Sequence, residues 1–146
     1  MVIDLKYKRS IIIDHLFYIK QEMCKEDYMD LKLCDSDYKF MIIVWEHAPL
    51  NSGELVTLCS EQLGWKKSTT YTVVKKLCER GFIKNENAVV SVLVAKEECQ
   101  AVETDYFVER TFGGSLPGFI AAFLNSKKLS EAEAAEIKKM IDEHME

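Results

Sequence analysis

GWKKSTTYTVVKKLCERGFI, residues 64–83, is the most informative part of the sequence, because it predicts an amphipathic helix with a basic, hydroxyl-rich face. Ser68 can cap this helix and Gly81 can end it. By helical spacing one face is apolar, and it carries Thr70, Val73, Val74 and Leu77. The opposite face carries Ser68, Thr69, Tyr71, Thr72, Lys75, Lys76 and Glu79.

Two helices are predicted before this segment and a β-hairpin after it. The run SDYKFMIIVWEHAP has helical spacing of its apolar residues and ends at Pro49. NSGELVTLCSEQLG opens with a capping box of Asn51 and Glu54 and ends at Gly64. FIK and VVSVLVA are β-rich runs joined by the polar NENA. Three short helices before a hairpin predict a winged helix-turn-helix, so the expected fold is mainly α with a small β-hairpin wing.

The C-terminal third is predicted to be a helical dimerisation domain. A first helix should break at Gly113-Gly114, and the last one begins with a capping box of Ser130 and Glu133. A segment of about 50 residues is too small to bury a long apolar stripe alone, so we expect a second copy to cover it. Packing of the stripe on the winged-helix domain is the alternative. The predicted dimer contact comprises Val102, Tyr106, Leu116, Phe119, Ile120, Phe123, Leu124, Ile137 and Ile141.

Composition and charge indicate a globular protein without a metal or cofactor. The 146 residues are 48% hydrophobic and carry a net charge of −5. Residues 96–146 hold six basic and eleven acidic groups, so the acidic excess lies away from the basic helix face. Five cysteines without a CxxC pair fit reduced thiols in a cytoplasmic protein, and three histidines are widely separated. No metal site, cofactor or catalytic residue is predicted.

The N-terminal stretch SIIIDHLFYI is apolar but too short to insert into a membrane, since a span needs about 20 apolar residues. We interpret 1–34 as an N-terminal extension, either an appended helix or the product of a start codon placed too early, with Met23 or Met29 as the true start. The winged helix is then expected over 35–95 and the dimerisation domain over 96–146.

The basic helix face indicates DNA binding rather than catalysis. No nucleophile elbow, HExxH or P-loop motif is present, so an enzyme is not expected. The helix occupies the recognition position of a helix-turn-helix, and its side chains are short enough to reach base edges. Thr69, Tyr71 and Thr72 are predicted to contact bases, and Lys66, Lys67, Ser68, Lys75 and Lys76 to contact phosphates. A protein–protein interaction module and a small-molecule-gated repressor remain alternatives.

Four segments together resemble the BlaI/MecI/CopY family of penicillinase-type repressors. They are CDSDYKFMIIVWEHAPLNSGEL, GWKKSTTYTVVKKLCERGFI, FGGSLPGFIAAFL and LSEAEAAEIKKMIDEH. The spacing from Trp65 to Thr69 and Thr72, followed by Leu77 and Gly81, is the most specific element. The resemblance implies a homodimeric repressor of palindromic operators in double-stranded DNA. In the antibiotic-responsive branch, it also implies inactivation by a membrane sensor-protease.

Three features depart from the family pattern. Aligning SLPGFIAAFL places Ala122-Phe123 at the Asn-Phe bond that is cleaved in the antibiotic-responsive branch, so an alanine replaces the asparagine. The wing lacks the usual Gly-Arg pair and later tyrosine. No cysteine follows Cys99, whereas the copper-responsive branch carries a C-terminal cysteine cluster. The resemblance therefore favours a penicillinase-type repressor over a copper sensor.

Overall fold

The structure is a computed structural model that describes residues 30–145. These residues divide into two compact units, the first ending at Thr104 and the second beginning at Asp105. The predicted N-terminal extension lies outside the described residues, apart from 30–34. In chain order the elements are α1 (Asp35–His47), β1 (Leu50–Asn51), α2 (Ser52–Leu63), α3 (Lys67–Glu79), β2 (Ile83–Glu86), β3 (Val89–Val92), α4 (Lys96–Phe112), α5 (Leu116–Ser126) and α6 (Glu131–His144).

The core of the first unit is built where α1, α2 and α3 pack together. Phe40 and Met41 of α1 are fully buried, as are Leu55 of α2 and Leu77 of α3. The Phe40 ring stacks on Trp65, with centroids 6.0 Å apart and an interplanar angle of 8°. Burying an apolar side chain of this size stabilises the fold by about 1.5–3 kcal/mol, so this cluster fixes the relative positions of the three helices.

The boundaries of α2 confirm the sequence prediction. The Asn51 side chain accepts a hydrogen bond from the Gly53 amide at 2.8 Å, and the Glu54 carboxylate accepts one from the Asn51 amide at 3.4 Å. Gly64 ends the helix with a φ of 68°, a left-handed conformation that glycine adopts without steric cost. Because α3 begins at Lys67, the Gly64 end of α2 determines the turn between α2 and α3.

The wing is part of a three-stranded antiparallel sheet with the order β1-β3-β2. Val90 of β3 lies opposite Leu50 of β1 and Asn85 of β2. Asn87 and Ala88 form the hairpin turn with φ values of 51° and 62°, the left-handed pair typical of tight two-residue turns. The hairpin was predicted, whereas the short strand β1 was not. The predicted fold class, mainly helical with a winged helix-turn-helix, is confirmed.

The second unit contains the end of α4 together with α5 and α6. Gly113 and Gly114 end α4 with positive φ values of 58° and 82°, as the sequence predicts. Ser130 and Glu133 form the predicted capping box at the start of α6, with the Ser130 amide donating to the carboxylate at 2.9 Å. Four aromatic rings contact one another at centroid distances of 5.7 to 6.4 Å; they belong to Phe107, Phe112, Phe119 and Phe123.

Candidate nucleic-acid interface

Helix α3 begins two residues earlier than a Ser68 cap would place it. Lys66 occupies the cap position with an extended backbone, and its carbonyl accepts the Thr70 amide at 3.1 Å. Ser68 is therefore inside the first turn, and no side chain caps the helix. The prediction that Ser68 caps α3 is wrong, because the backbone turns into the helix before the serine.

The two faces of α3 are those that its sequence predicts. Thr70, Val73, Val74 and Leu77 are buried, so the apolar face packs into the core of the first unit. The opposite face is exposed to solvent and carries Ser68, Thr69, Tyr71, Thr72, Lys75, Lys76 and Glu79. The structure thus brings all the predicted base-contacting side chains and most of the predicted phosphate-contacting ones onto a single surface, which we call the α3 face.

Hydrogen bonds restrict what the side chains of the α3 face can offer a ligand. The Thr72 hydroxyl donates to the Ser68 carbonyl at 2.9 Å. Its proton is then engaged in the helix, while its lone pairs and its methyl group remain available. The Lys67 ammonium lies 5.9 Å from the centroid of the Tyr71 ring, close enough for a cation–π contact. Thr72 can therefore accept a hydrogen bond from a ligand or present its methyl group.

Charge at the start of α3 favours an anion. The first turn contains no acidic residue, and Lys66 and Lys67 stand at the positive end of the helix dipole. Cations at this end destabilise a helix slightly, since they repel the partial positive charge of the unpaired amides. The same arrangement attracts a phosphate, which would neutralise the lysines and accept hydrogen bonds from free amides.

Lys76 differs from Lys75, the other lysine of the α3 face, because its ammonium lies 2.7 Å from Asp37 Oδ1. Asp37 belongs to α1 and its side chain is only 3% exposed. From the sequence, Asp37 is only expected to suit the first turn of α1, and its partner Lys76 was not predicted. A signal was nevertheless present: Asp37 precedes the buried Phe40 and Met41 by three and four positions, so it lies on the core-facing side of α1. A carboxylate at such a position requires a cationic partner.

The wing carries little free positive charge. Lys84 forms an ion pair with Glu86, with 3.2 Å between its ammonium and the carboxylate. Asn85 and Asn87 complete its tip, and no arginine is present in 83–92. The wing therefore offers a DNA backbone much less attraction than the α3 face does.

The predicted dimer contact is divided between exposed and buried positions. Leu116, Ile120 and Leu124 are exposed on α5 at four-residue spacing, and Ile137 and Ile141 are exposed on α6. Phe119 and Phe123 are half-buried in the aromatic cluster of the second unit, and Tyr106 is half-buried on α4.

Two residues change the predicted set. Val102, assigned to the dimer contact by its spacing, is 0% exposed and lies in the first unit, so it has no surface left for a partner. Spacing placed it correctly on the apolar face of α4 but could not tell a core position from a contact. Met140, which the sequence analysis did not name, is exposed on α6 beside Ile137 and Ile141. Neither α5 nor α6 contains a fully buried residue.

The Ala122–Phe123 bond lies in the interior of α5. Ala122 is exposed, and the Phe123 ring is 6.4 Å from the ring of Phe119. Within 30–145, no cluster of three or more histidine, cysteine, aspartate or glutamate side chains is arranged to bind a metal ion. Among the helices of that same range, none is both long and apolar enough to cross a bilayer.

Three short helices and a small antiparallel sheet, with an exposed polar face on the third helix, define a winged helix-turn-helix protein of the DNA-binding, transcription-regulating class. The chain matches the penicillinase repressor family over residues 33–143 and belongs to that family. The resemblance predicted from the sequence is therefore confirmed. Its members are transcriptional repressors and not enzymes, as the sequence analysis predicts for this chain.

Two other proteins are similar to this chain in sequence. The penicillinase repressor of Bacillus licheniformis is 22% identical over 117 residues, which cover 77% of this chain and 91% of that protein. The "Uncharacterized 16.5 kDa protein in ptsI 3'region" of Latilactobacillus sakei is 25% identical over 114 residues, covering 75% and 78%.

Solved structures of MarR proteins are also similar. The multiple antibiotic-resistance repressor of Listeria monocytogenes has a TM-score of 0.45 and 14% identity, covering 94% of this chain and 93% of that one. Staphylococcus aureus MarR in complex with salicylate and kanamycin has a TM-score of 0.45 and 15% identity, covering 94% and 87%.

Proposed function

We propose that the chain is a homodimeric repressor that binds a palindromic operator through the α3 face. The observation that carries the proposal is the start of α3, where two lysines and no acid surround an uncapped helix N-terminus. This arrangement costs helix stability in the absence of an anion and becomes favourable when a phosphate is bound. A local feature that disfavours folding is typical of a functional site.

Base and phosphate contacts are divided along α3 in this proposal. Thr69, Tyr71 and Thr72 are short or planar side chains that can enter the major groove. Because the Thr72 proton is donated to the Ser68 carbonyl, Thr72 would accept from a base amino group or contact a thymine methyl group. Lys66, Lys67, Ser68 and Lys75 would bind the flanking phosphates and set the register on the duplex.

Dimerisation is proposed through the exposed apolar rows of α5 and α6. Leu116 is 57% exposed and Ile141 is 53% exposed, in helices without any fully buried residue. A unit of this size cannot form a sufficient core alone, and exposed apolar rows of this kind are unfavourable in water. A second copy would cover it and would give the protein two α3 faces for two half-sites. Such a repressor would work in the cytoplasm, where the DNA is.

The DNA-binding proposal is tested by the salt dependence of affinity. Lysine–phosphate contacts from Lys66, Lys67 and Lys75 give six per dimer, so the slope of log K against log salt should be about −5. The affinity is measured by fluorescence anisotropy with DNA from upstream of the gene. Lys75→Ala should make the slope shallower by about 2 per dimer, whereas the exposed Lys138→Ala on α6 serves as the control and should not. An affinity independent of salt would refute DNA binding by this face.

The role of Thr72 is tested by two substitutions that separate its hydroxyl from its methyl group. Thr72→Val keeps the branched shape and a methyl group but removes the oxygen, and Thr72→Ser keeps the oxygen but removes the methyl group. Loss of a base contact should reduce the preference for operator over random DNA by about 10-fold, or about 1–3 kcal/mol. Neither variant should change the salt slope, since neither removes a charge. Unaltered preference in both variants would exclude Thr72 from base contact.

A further inference from the structure

The carboxylate of Asp37 connects α1 to the C-terminal end of α3. Its Oδ1 lies 2.7 Å from the Lys76 ammonium, and its Oδ2 lies 3.9 Å from Nη1 of Arg80. The side chain of Asp37 is 3% exposed, so almost no water can solvate its charge. A carboxylate buried to this degree is tolerated only when cations compensate it. The short contact identifies Lys76 as the main partner.

Arg80 cannot replace Lys76 easily, because its guanidinium is engaged elsewhere. Nη2 donates hydrogen bonds to the carbonyl oxygens of Asp30 at 2.6 Å and Lys32 at 2.8 Å. The guanidinium also lies 4.9 Å from the centroid of the Phe82 ring. These contacts hold Arg80 against the segment that precedes α1 and keep it at the longer distance from Asp37. Lys76 and Arg80 thus attach the end of α3 to α1 and to that segment.

The ion pair changes what Lys76 can do on the α3 face. Its side chain is 46% exposed, so by exposure alone it would count as a phosphate ligand. Moving its ammonium to a phosphate would leave the Asp37 carboxylate buried without its closest cation, which is strongly unfavourable. Lys75 at the neighbouring position is also exposed, and no residue in 30–145 forms an ion pair with it. The two adjacent lysines therefore have different roles.

From this geometry we infer that Asp37 is a positioning residue for DNA recognition, an inference that rests on the proposed function. It withholds Lys76 from the phosphates and fixes the end of α3 on α1. Thr72 lies one helical turn before Lys76, on the same side of α3. The attachment therefore sets the depth and angle at which Thr72 meets the base edges. The charge offered to phosphates then comes from Lys75 on the α3 face and from Lys66 and Lys67 at the start of α3.

The first test compares adjacent lysines in the full chain. Lys75→Met should make the salt slope shallower by about 1 per subunit, since one phosphate contact is lost. Lys76→Met should leave the slope unchanged but lower the melting temperature by about 5 °C or more, because Asp37 is left unpaired. Lys76→Arg keeps the charge and should restore stability. A slope that falls equally in both Met variants, with an unchanged melting temperature, would overturn the inference.

The second test couples Asp37 and Lys76 and does not depend on DNA. Asp37→Asn combined with Lys76→Met leaves no unpaired charge, so the double variant should be more stable than Lys76→Met alone. Urea unfolding of the wild type, both single variants and the double variant completes the cycle. Strictly additive effects would show that the two residues do not interact, and would refute the inference.

The third test uses the same double variant to separate positioning from simple folding. Because it lacks the attachment, its preference for operator over random DNA should fall by about 10-fold or more at a temperature where it is fully folded. Lys75→Met should weaken binding to all sequences alike. An undiminished preference in the folded double variant would overturn the positioning role. If the wild type does not bind DNA, both the proposed function and this inference are wrong. If only the inference is wrong, the wild type still binds DNA and the variants do not behave as expected.

Discussion

Trp45 and Val94 are joined by a hydrogen bond in which the indole Nε1 donates to the backbone carbonyl at 3.0 Å. This contact holds the C-terminal half of α1 against the segment that leaves the wing. The ring of Tyr38 lies edge-on to Trp45, with centroids 5.6 Å apart. Together with the hydrogen bond from the Ser52 amide of α2 to the Ala88 carbonyl at 2.8 Å, the Trp45 hydrogen bond attaches the wing to the helices.

Trp45→Phe should lower the free energy of unfolding by about 1–3 kcal/mol, because the Val94 carbonyl loses its donor while an aromatic ring remains. Urea denaturation followed by circular dichroism measures the change. Trp65→Phe is the matched control, since the stacking on Phe40 is retained and no described hydrogen bond of that indole is lost. If both variants lost the same stability, the hydrogen bond to Val94 would contribute nothing measurable.

Phe123→Ala should shift the chain from dimer towards monomer at micromolar concentration. Phe123 is half-buried within one chain and would be buried in the proposed dimer, where truncating a phenylalanine costs about 3–5 kcal/mol. Its contact with the Phe119 ring also orders the apolar surface of α5. Operator binding should weaken as well, since two linked α3 faces bind more tightly than one. Equilibrium sedimentation measures the shift. Asn125→Ala, an exposed polar position on the same helix, is the control, and an unchanged dimer in the Phe123 variant would contradict the proposed contact.

Release from DNA is predicted to follow cleavage between Ala122 and Phe123. The bond is helical, so a protease can reach it only after α5 opens locally. Cleavage would separate Leu116 and Ile120 from Leu124 and would divide the apolar row of α5. Mass spectrometry of the protein from cells exposed to a β-lactam should detect fragments that end at Ala122.

A protease that hydrogen-bonds an asparagine side chain should cleave Ala122→Asn faster than the natural sequence, because the polar group it recognises is restored. The fraction cleaved after a fixed exposure, measured in parallel for both proteins, gives the comparison. Intact protein in cells whose target genes are already induced would exclude this route of release.

Thiol reactivity should differ sharply among the described cysteines. Burial, together with the nearby carboxylates of Glu98 and Glu103 and against the opposing effect of Arg80, raises the pKa of the Cys99 thiol to about 12. Burial also raises the pKa of the Cys59 thiol. Because the thiolate is the reactive form, both should remain protonated and unreactive near pH 8 in the folded protein.

Peptide mapping after iodoacetamide treatment at pH 8 checks this prediction. Cys34, which is exposed, should be alkylated first, and Cys99 should react only after unfolding in urea. Raising the pH should increase labelling of Cys99 only close to its pKa. Equal labelling of Cys34 and Cys99 in the folded chain would contradict the burial of Cys99.

Features with a local physical cause could be predicted from the sequence. The capping boxes at Asn51 and Ser130 involve residues three positions apart, and Gly64 ends a helix by its own conformation. The apolar spacing in α3 likewise identified its buried and exposed faces, because both depend on a single helical period. These features located the candidate interface before any tertiary contact was known.

Features that depend on distant contacts could not be predicted in this way. Strand β1 is only two residues long, and Leu50 is a strand residue because Val90 pairs with it. The Asp37–Lys76 ion pair joins two helices that are distant in the sequence, so it could not be predicted from helical spacing. Helical spacing placed Lys76 on the exposed face of α3, and Lys76 was therefore assigned to phosphate. Helical spacing placed Val102 on the correct, apolar face of α4. Only the structure shows that Val102 is already fully buried within the chain.

The pairing of the hairpin also limits how the wing can change length during evolution. Val90 is buried and lies opposite both Leu50 and Asn85, so both sides of β3 are committed to a fixed register. A single residue inserted between Val90 and Val92 would reverse the faces of all residues on one side of it. Residues inserted between Asn87 and Ala88 would leave every strand pair in place. Length variation in this wing should therefore be confined to its tip. A longer loop there could acquire basic residues, which the present turn of Asn87 and Ala88 does not contain.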